Sequence, residues 1–190
     1  KWRRGGVSII QFYKYTDKEI KELVSSMTIL VDTREQKADH IIGYFDRKSV
    51  NHKKKALNYG DYSFMIPANE KLGIQRDMYF DSKVCVERKG SLEEISGNLS
   101  KDRARFEKEL SLAPETRVIL LENANYSDIA DGNYNTQYNK KSFIGSLHSF
   151  WFKYNVPIFF MPDNKYSGLF IRLYFEYCFK NYLKGKWGAA

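Results

Sequence analysis

The segment Val84–Gly90, VCVERKG, joins an apolar run to three consecutive charged residues. Its Val-Cys-Val start is typical of an interior β-strand. Because the side chains of a strand alternate between its two faces, Glu87 and Lys89 are expected to project side by side from the end of this strand. An acid and a lysine in this arrangement form either a surface ion pair or half of a metal-dependent active site.

Acidic residues stand at four expected strand ends, namely Asp32, Asp61, Glu87 and Glu122. Sites in α/β sheets assemble at such ends. Asp61 and Glu87 are 26 positions apart, enough for a hairpin that returns the second strand beside the first. Their carboxylates and the backbone carbonyl of Arg88 would offer the oxygen ligands that a hard divalent cation prefers. Glu122 is equally compatible with a structural role, because many sheets end in one acid.

Lys89 shares its predicted strand face with Glu87. From there its ammonium group would position or activate a water molecule, or neutralise charge on a phosphate. Together with the acids, this lysine indicates metal-assisted hydrolysis of a phosphodiester bond. Acids and lysines are abundant in proteins, so the residues around them decide how much weight this pattern carries.

Strands and helices alternate along the chain and would position these residues. Two capping boxes, Thr16–Glu19 and Ser91–Glu94, each predict the start of a helix. The predicted strands cover 28–32, 56–66 with a bend at 60–61, 84–89, 117–122 and 156–161, and the further predicted helices begin at 40 and cover 101–112, 143–154 and 166–183. Residues 123–141 are predicted to form a long polar loop. The alternation predicts an α/β fold of three layers, with a central mixed sheet flanked by helices.

The composition argues against several classes of protein. Cys85 and Cys178 are isolated from each other and from histidine, which argues against a zinc site and favours a reducing compartment. No stretch approaches the roughly 18 apolar residues of a membrane span, so no membrane association is expected. The net charge of +8 fits a polyanionic partner and equally fits a solvated basic surface.

Four motifs occur in a fixed order: VDTRE at 31–35, LNYGDY at 57–62, VERKGSLEE at 86–94 and NLSKDRARFEKEL at 98–110. They resemble the signature of the nuclease domain of XPF-type structure-specific endonucleases, an outlying branch of the PD-(D/E)xK restriction-enzyme fold. That signature is V-D-x-R-E, G-D-Y/F, E-R-K-x-x-x-D and then a helix with D-x-R or D-R. The resemblance covers roughly residues 28–161, and it implies a three-layer restriction-endonuclease-like fold.

The resemblance also implies roles for individual residues. The metal-site acids would be Asp32, Asp61 and Glu87, with the carbonyl of Arg88 as a further ligand, and the implied cofactor is Mg²⁺ or Mn²⁺. The catalytic lysine would be Lys89, and the other active-site motif residues are Arg34, Glu35 and Arg88. Arg103 matches a helical arginine that faces the cleft, where it would contact a phosphate. The sequence departs from the signature at Glu93, where the family has Asp, and Glu94 follows it.

Two further segments are candidates for DNA contact. The run Lys53–Lys55 would either bind DNA or form a charged edge strand that discourages aggregation. In the predicted loop, Tyr134 and Tyr138 would either stack on single-stranded bases or belong to a mobile surface loop.

The chain is predicted to consist of an N-terminal extension with a short helix (1–27), a nuclease domain (28–163) and a C-terminal helix (164–190). The segment Leu169–Leu183 is apolar around most of its circumference, so it is expected either at the centre of the fold or against a second subunit. Because a chain end is rarely central and the resembled domains dimerise through helices beside the sheet, we expect a homodimer. About thirty residues follow the last predicted strand, too few for a tandem helix-hairpin-helix domain. The resemblance is therefore to a solo nuclease domain of phages or mobile elements, for which a protein partner would supply extra DNA binding.

These observations predict a Mg²⁺- or Mn²⁺-dependent endonuclease acting on branched or otherwise structured DNA, such as a flap, fork or junction, in DNA repair or recombination. The products implied by the resemblance carry 5′-phosphate and 3′-hydroxyl ends. The alternative is a catalytically silent module that binds DNA junctions or a partner protein, and the intact acids and Lys89 favour the enzyme. The expected location is the cytoplasm of a bacterial or phage-infected cell, or the nucleus of a eukaryote.

Overall fold

The structure is a computed structural model that describes residues 14–185. Within this range the strands are β1 Thr28–Val31, β2 His52–Lys54, β3 Tyr62–Ile66, β4 Met78–Tyr79, β5 Val84–Lys89, β6 Thr116–Glu122 and β7 Ile158–Met161. The α-helices are α1 Asp17–Ser26, α2 Asp39–Arg47, α3 Leu92–Leu99, α4 Arg103–Leu112, α5 Tyr126–Asp131, α6 Lys140–Tyr154 and α7 Ser167–Leu183. The first half of the predicted N-terminal extension and the last five residues lie outside the described range. Among the described helices, each is too short or too polar to cross a membrane.

A mixed sheet forms the middle layer, with the strand order β2-β1-β3-β5-β6-β7 and with β4 paired to β3. Strand β3 runs antiparallel to both β1 and β5, whereas β5, β6 and β7 are parallel to one another. The start of β3 therefore meets the ends of β1, β5 and β6 at one edge of the sheet. All four acids predicted at strand ends, at positions 32, 61, 87 and 122, lie along this edge.

Helices cover both faces of the sheet, as the sequence predicted. One core lies under α1, α2 and α7, where Phe64 of β3 stacks on Phe80 at 4.4 Å between ring centroids. The other core lies under α3, α4, α5 and α6, where Phe106 stacks on Phe150 at 5.7 Å. Strand β5 contributes Val84 and Val86 to the first core and therefore turns Glu87 and Lys89 toward the second.

Helix α7 lies on the sheet in contact with α1 and α2. Ile171, Phe175 and Phe179 are fully buried in the first core. At Gly168 a Cβ atom would come within 2.7 Å of the Tyr44 ring, so the absence of a side chain lets α7 approach α2 closely. Its broad apolar circumference is thus largely explained inside one chain. The homodimer stays a prediction, but the apolar circumference of α7 no longer supports it.

The N-terminal caps agree with the sequence pattern, since Thr16 and Ser91 each accept a hydrogen bond from the backbone of the first helical turn. Two elements differ from expectation. The first half of the strand predicted at 56–66 does not form, because the amide of Leu57 donates to the Asp32 carboxylate rather than to a sheet partner. The strand in this part of the chain is instead β2, at 52–54. The predicted loop 123–141 contains α5, a six-residue helix that ends at Gly132.

Candidate active site

Backbone hydrogen bonds join the three strand ends that carry the predicted metal acids. The amide of Asp32 donates to the carbonyl of Asp61 at 2.8 Å, and the amide of Asp61 donates to the carbonyl of Val86 at 2.9 Å. The amide of Arg88 in turn donates to Oδ2 of Asp61 at 2.7 Å. The carboxylate of Asp61 is therefore held against β5, beside Glu87.

Gly60 makes this approach possible. Its φ of +66° lies in the left-handed region, and a Cβ atom there would be 2.8 Å from Cβ of Cys85 and 3.0 Å from the carbonyl of Val86. Both the backbone conformation and the contact with β5 therefore favour glycine immediately before Asp61.

Asp61 and Glu87 form a pair of like charges at the sheet edge. Burial raises the pKa of Asp61 well above its usual 3.8, and the charge of Glu87 raises it further. The ammonium of Lys89 lies 2.8 Å from Oε1 of Glu87 and 5.2 Å from the centre of the Phe106 ring. Burial alone would lower the pKa of Lys89, but the charge and hydrogen bond of Glu87 outweigh it and raise that pKa, so the side chain stays protonated. A cation beside Asp61 would relieve the repulsion between the two acids.

The carboxylate of Asp32 is engaged within the protein. Its Oδ1 accepts from the backbone and Nε of Arg34, at 2.7 and 2.9 Å, and its Oδ2 accepts from Nη2 of Arg34 and the amide of Leu57, both at 2.9 Å. Burial would raise the pKa of Asp32, but these hydrogen bonds outweigh it and hold that pKa below its usual value. The predicted ligand role of Asp32 therefore requires Arg34, whose side chain is 73% exposed, to swing aside.

Arg88 and Glu35 lie on the opposite face of the sheet from Glu87 and Lys89. Arg88 is buried and pairs with Glu35 at 3.1 Å and with the buried Glu122 at 2.9 Å. Glu122 also contacts Nε2 of His40 on α2 at 2.8 Å. The side chain of Arg88 therefore braces the site from behind. Of the two roles open to Glu122, the buried ion pairs favour the structural one.

Two cavities meet at the acids. A polar cavity of about 290 Å³ is lined by Glu35, Lys37, Lys89 and Glu94, among others. A second cavity of about 400 Å³ runs along β5 toward the C-terminal end of α4. Both are also lined by Arg34, Asp61 and Glu87.

The position that departs from the family signature does not face the acids. Glu93 is exposed and accepts a 2.9 Å hydrogen bond from the amide of Asn135. It is Glu94 that approaches the site, with one carboxylate oxygen 3.7 Å from Nζ of Lys89 and the other accepting from the amide of Gly90. In the sequence, the one pointer to this role of Glu94 was its position in the first helical turn after Lys89, and helix capping already explained an acid at that position.

Of the predicted DNA-binding residues, Arg103 is directed toward α6. Its guanidinium lies 4.9 Å from the centre of the Phe150 ring, and its Nε is 3.1 Å from Oε1 of Glu107. Arg105, two residues further along α4 and therefore on roughly the opposite side of the helix, lines the larger cavity instead. The spacing of the sequence motif could not distinguish them, because the rotation of α4 about its axis is set by the burial of Phe106 and Leu110.

The two tyrosines that are candidates for DNA contact make contacts within the protein. Tyr134 and Tyr138 pack on Phe143, at 5.3 and 5.4 Å between centroids. The hydroxyl of Tyr134 donates to the carbonyl of Tyr138, and the Tyr138 hydroxyl is hydrogen-bonded to Ser146. The lysine run lies on and just after the edge strand β2, where Lys55 pairs with Asp81 at 2.6 Å while residues 53 and 54 are exposed.

The donor set fits a hard divalent cation that keeps part of its hydration. No cluster of three or more acidic, histidine or cysteine side chains arranged to hold a metal occurs between residues 14 and 185. Mg²⁺ is usually bound through one or two carboxylates, with water and phosphate oxygens completing its shell. Asp61 and Glu87, together with the carbonyl of Arg88, meet that requirement.

A model of the ERCC4 domain family matches residues 31–173. Among solved structures, XPF from Aeropyrum pernix is similar at a TM-score of 0.56, with 19% identity over 79% of this chain and 64% of that one. XPF from Aeropyrum pernix in complex with DNA is similar at a TM-score of 0.59, again with 19% identity, over 80% of this chain and 65% of that one. The chain thus spans just under two thirds of these proteins. A comparison with curated protein sequences gives no match. The structural likeness confirms the predicted restriction-endonuclease-like fold and the resemblance to the XPF nuclease domain.

Proposed function

The chain belongs to the ERCC4 domain family, and from that premise we propose that it is a divalent-metal-dependent endonuclease that cuts branched DNA. The observation that carries the proposal is the half-buried pair Asp61 and Glu87, held beside a protonated Lys89 at the edge of the sheet. Two neighbouring acids repel each other, which disfavours the fold, whereas both would attract a bound cation. The DNA-bound structure of XPF from Aeropyrum pernix supports DNA as the partner, as does the net charge of +8.

Asp61 and Glu87 would hold Mg²⁺ or Mn²⁺ together with the carbonyl of Arg88. The bound ion would supply an activated water and offset charge on the scissile phosphate. Lys89 keeps its proton because Glu87 lies 2.8 Å away, so it would act as a hydrogen-bond donor toward a phosphate oxygen or the attacking water.

Arg34 and Arg88 would act on the two sides of this centre. The exposed guanidinium of Arg34 would bind a phosphate once it leaves Asp32, and Asp32 would then be free to join the ligands. Arg88 is locked by Glu35 and Glu122, so it would hold the backbone that carries Glu87 and Lys89 in place.

The homodimer and the DNA-binding protein partner remain predictions. Phe152 on α6 and Phe159 on the edge strand β7 are exposed, at 82% and 47%, so apolar surface is available for either. The mass of the protein in solution, measured by light scattering, would distinguish a monomer from a dimer.

Cleavage of labelled DNA tests the proposed function. Single strand, duplex, splayed arm, flap and three- and four-way junctions would be incubated with Mg²⁺, Mn²⁺ or EDTA. We expect metal-dependent cutting of branched DNA, abolished in Asp61→Ala and retained in Asp131→Asn, which removes a charge from an exposed position on α5. Branched DNA that is bound and left intact under all conditions would establish the silent module instead.

A further inference from the structure

The larger of the two cavities, which we call the α4 cavity, is defined by Asn58, Tyr59, Arg105, Leu112, Ala113 and Arg117, with Asp61 and Glu87 at one end. Its volume of about 400 Å³ falls in the ~300–1,000 Å³ range of small-molecule sites. It opens to solvent, because Leu112 is 57% exposed and Arg105 and Asn58 are exposed as well. The phosphodiester chemistry proposed for the acids does not use this space.

The α4 cavity is continuous with the candidate active site. Asp61, Glu87 and Arg34 line both this cavity and the polar cavity, so the acids lie at the boundary between the two. A phosphate held at the acids would therefore have the polar cavity on one side and the α4 cavity on the other. The nucleotide attached to that phosphate would lie within reach of the α4 cavity.

The walls of the α4 cavity suit a nucleobase better than a phosphate. Phe106, Leu110 and Leu112 supply apolar surface, and Tyr59 supplies an aromatic ring. Bases bind to such surfaces by stacking, and they are recognised at their edges by side-chain hydrogen bonds. Asn58 and Glu109 offer both donors and acceptors for that purpose.

Two features make the inner wall of the α4 cavity rigid. Arg117 binds the carbonyls of Ala113 and Pro114 at the end of α4 and that of Tyr154 at the end of α6. Its Nε is buried and has no hydrogen-bond partner among residues 14–185. On the other side, the contact of Gly60 with β5 fixes the loop that carries Tyr59.

We propose that the α4 cavity receives one unpaired nucleotide of the DNA strand that is cut, next to the scissile phosphate. The inference rests on the proposed function and adds to it a physical basis for choosing branched DNA. A base inside a duplex is stacked and paired, and moving it into the cavity would cost a few kcal/mol. A nucleotide at a fork, flap or junction is already unpaired, so the cavity favours these structures without reading sequence.

Base-by-base fluorescence tests the proposal in EDTA, where the strand stays intact. A splayed-arm DNA would carry 2-aminopurine at successive positions around the branch point, while a fluorescein label reports binding through anisotropy. We expect the emission of 2-aminopurine to change by about twofold or more at one position only, because only one base leaves its stack for the cavity. An abasic nucleotide at that position should weaken binding by about tenfold.

Variants of the cavity complete the test. Ala113→Phe fills it and should remove both the local fluorescence change and the abasic effect. Ser111→Phe adds the same ring to an exposed position on the last turn of α4, two residues earlier, and should leave both intact. Tyr59→Ala, which enlarges the cavity, should weaken the abasic effect even if Ala113→Phe fails to fold.

The outcomes separate the two proposals. Binding of the splayed arm with no position-specific response would overturn the nucleotide site and leave the nuclease proposal standing. A response that survives Ala113→Phe would place the unpaired base elsewhere and would equally overturn the site. No binding of any DNA in EDTA, together with no cleavage of the DNA panel in Mg²⁺ or Mn²⁺, would overturn both.

Discussion

The amide of Arg88 donates a 2.7 Å hydrogen bond to Oδ2 of Asp61. Through this bond the start of β3 is tied to the end of β5, and the Asp61 carboxylate is held beside the strand that carries Glu87. The same bond favours the ionised form of Asp61, but burial and the charge of Glu87 outweigh it, so the net effect is a raised pKa. The edge of the sheet therefore disfavours the ionised form of this carboxyl group, and a nearby cation would offset that cost.

Asp61→Asn should stabilise the protein when metal is absent. A carboxyl group with a raised pKa binds its proton more tightly in the folded state, so the free energy of unfolding falls as pH rises from the usual 3.8 through the folded-state pKa. The variant lacks this loss, and its amide oxygen can still accept from Arg88. We expect its melting temperature at neutral pH to exceed that of the wild type by about 2–4 °C per kcal/mol gained.

Urea unfolding of both proteins across pH, with EDTA or with Mn²⁺, would measure this effect. Mn²⁺ should stabilise the wild type and leave Asp61→Asn unchanged, because binding to the folded state alone raises stability. Equal stabilisation of the two proteins would show that the ion binds elsewhere.

Gly60→Ala should both destabilise the protein and reduce its activity. The new methyl group would meet Cys85 and the carbonyl of Val86, and the φ of +66° adds strain, together costing about 1–3 kcal/mol. Gly132→Ala is the matched control, since its φ of +82° carries the strain while no atom lies within 4 Å. Thermal unfolding should show the larger loss for Gly60→Ala, and similar losses would remove the contact with β5 as the cause.

Glu122→Ala should cost about 3–5 kcal/mol, because it removes one partner of a buried ion pair and leaves Arg88 with Glu35 alone. Glu70→Ala, at an exposed position of a short 3₁₀ turn, should be nearly neutral. Denaturant unfolding measures both. A loss below about 1 kcal/mol for Glu122→Ala would mean that water or His40 compensates, and that the network behind the site is weak.

The double substitution of Lys53 and Lys54 by Ala tests the edge strand as a DNA contact. If both lysines bind phosphates, the slope of log affinity against log salt should fall by about 0.9 per contact. The same double substitution at Lys18 and Lys21, two exposed residues of α1, removes equal charge and is the control. Equal effects of the two pairs would assign the lysines of β2 to general surface charge.

The sequence predicted most of the architecture because local patterns carry it. Alternation along VCVERKG placed Glu87 and Lys89 on one face, and the capping residues Thr16 and Ser91 marked helix starts that the structure contains. Helix α5 was missed because six residues are too few to show a helical period. The strand placed at 56 was misjudged because Leu57 finds its partner in Asp32, a residue 25 positions away.

What the sequence determined alone was therefore most of the strands and helices, the fold class and the group of acids with Lys89 at one sheet edge, since these follow from side-chain period, caps and order. The tertiary structure decided which groups become partners. It paired Arg34 with Asp32, and it paired Arg88 with Glu35 and Glu122. It also directed Arg103 toward α6 and Arg105 toward the cavity, and it buried α7 within one chain. Those choices depend on contacts between residues far apart in the chain and on the rotation of each packed helix, and no local pattern encodes either.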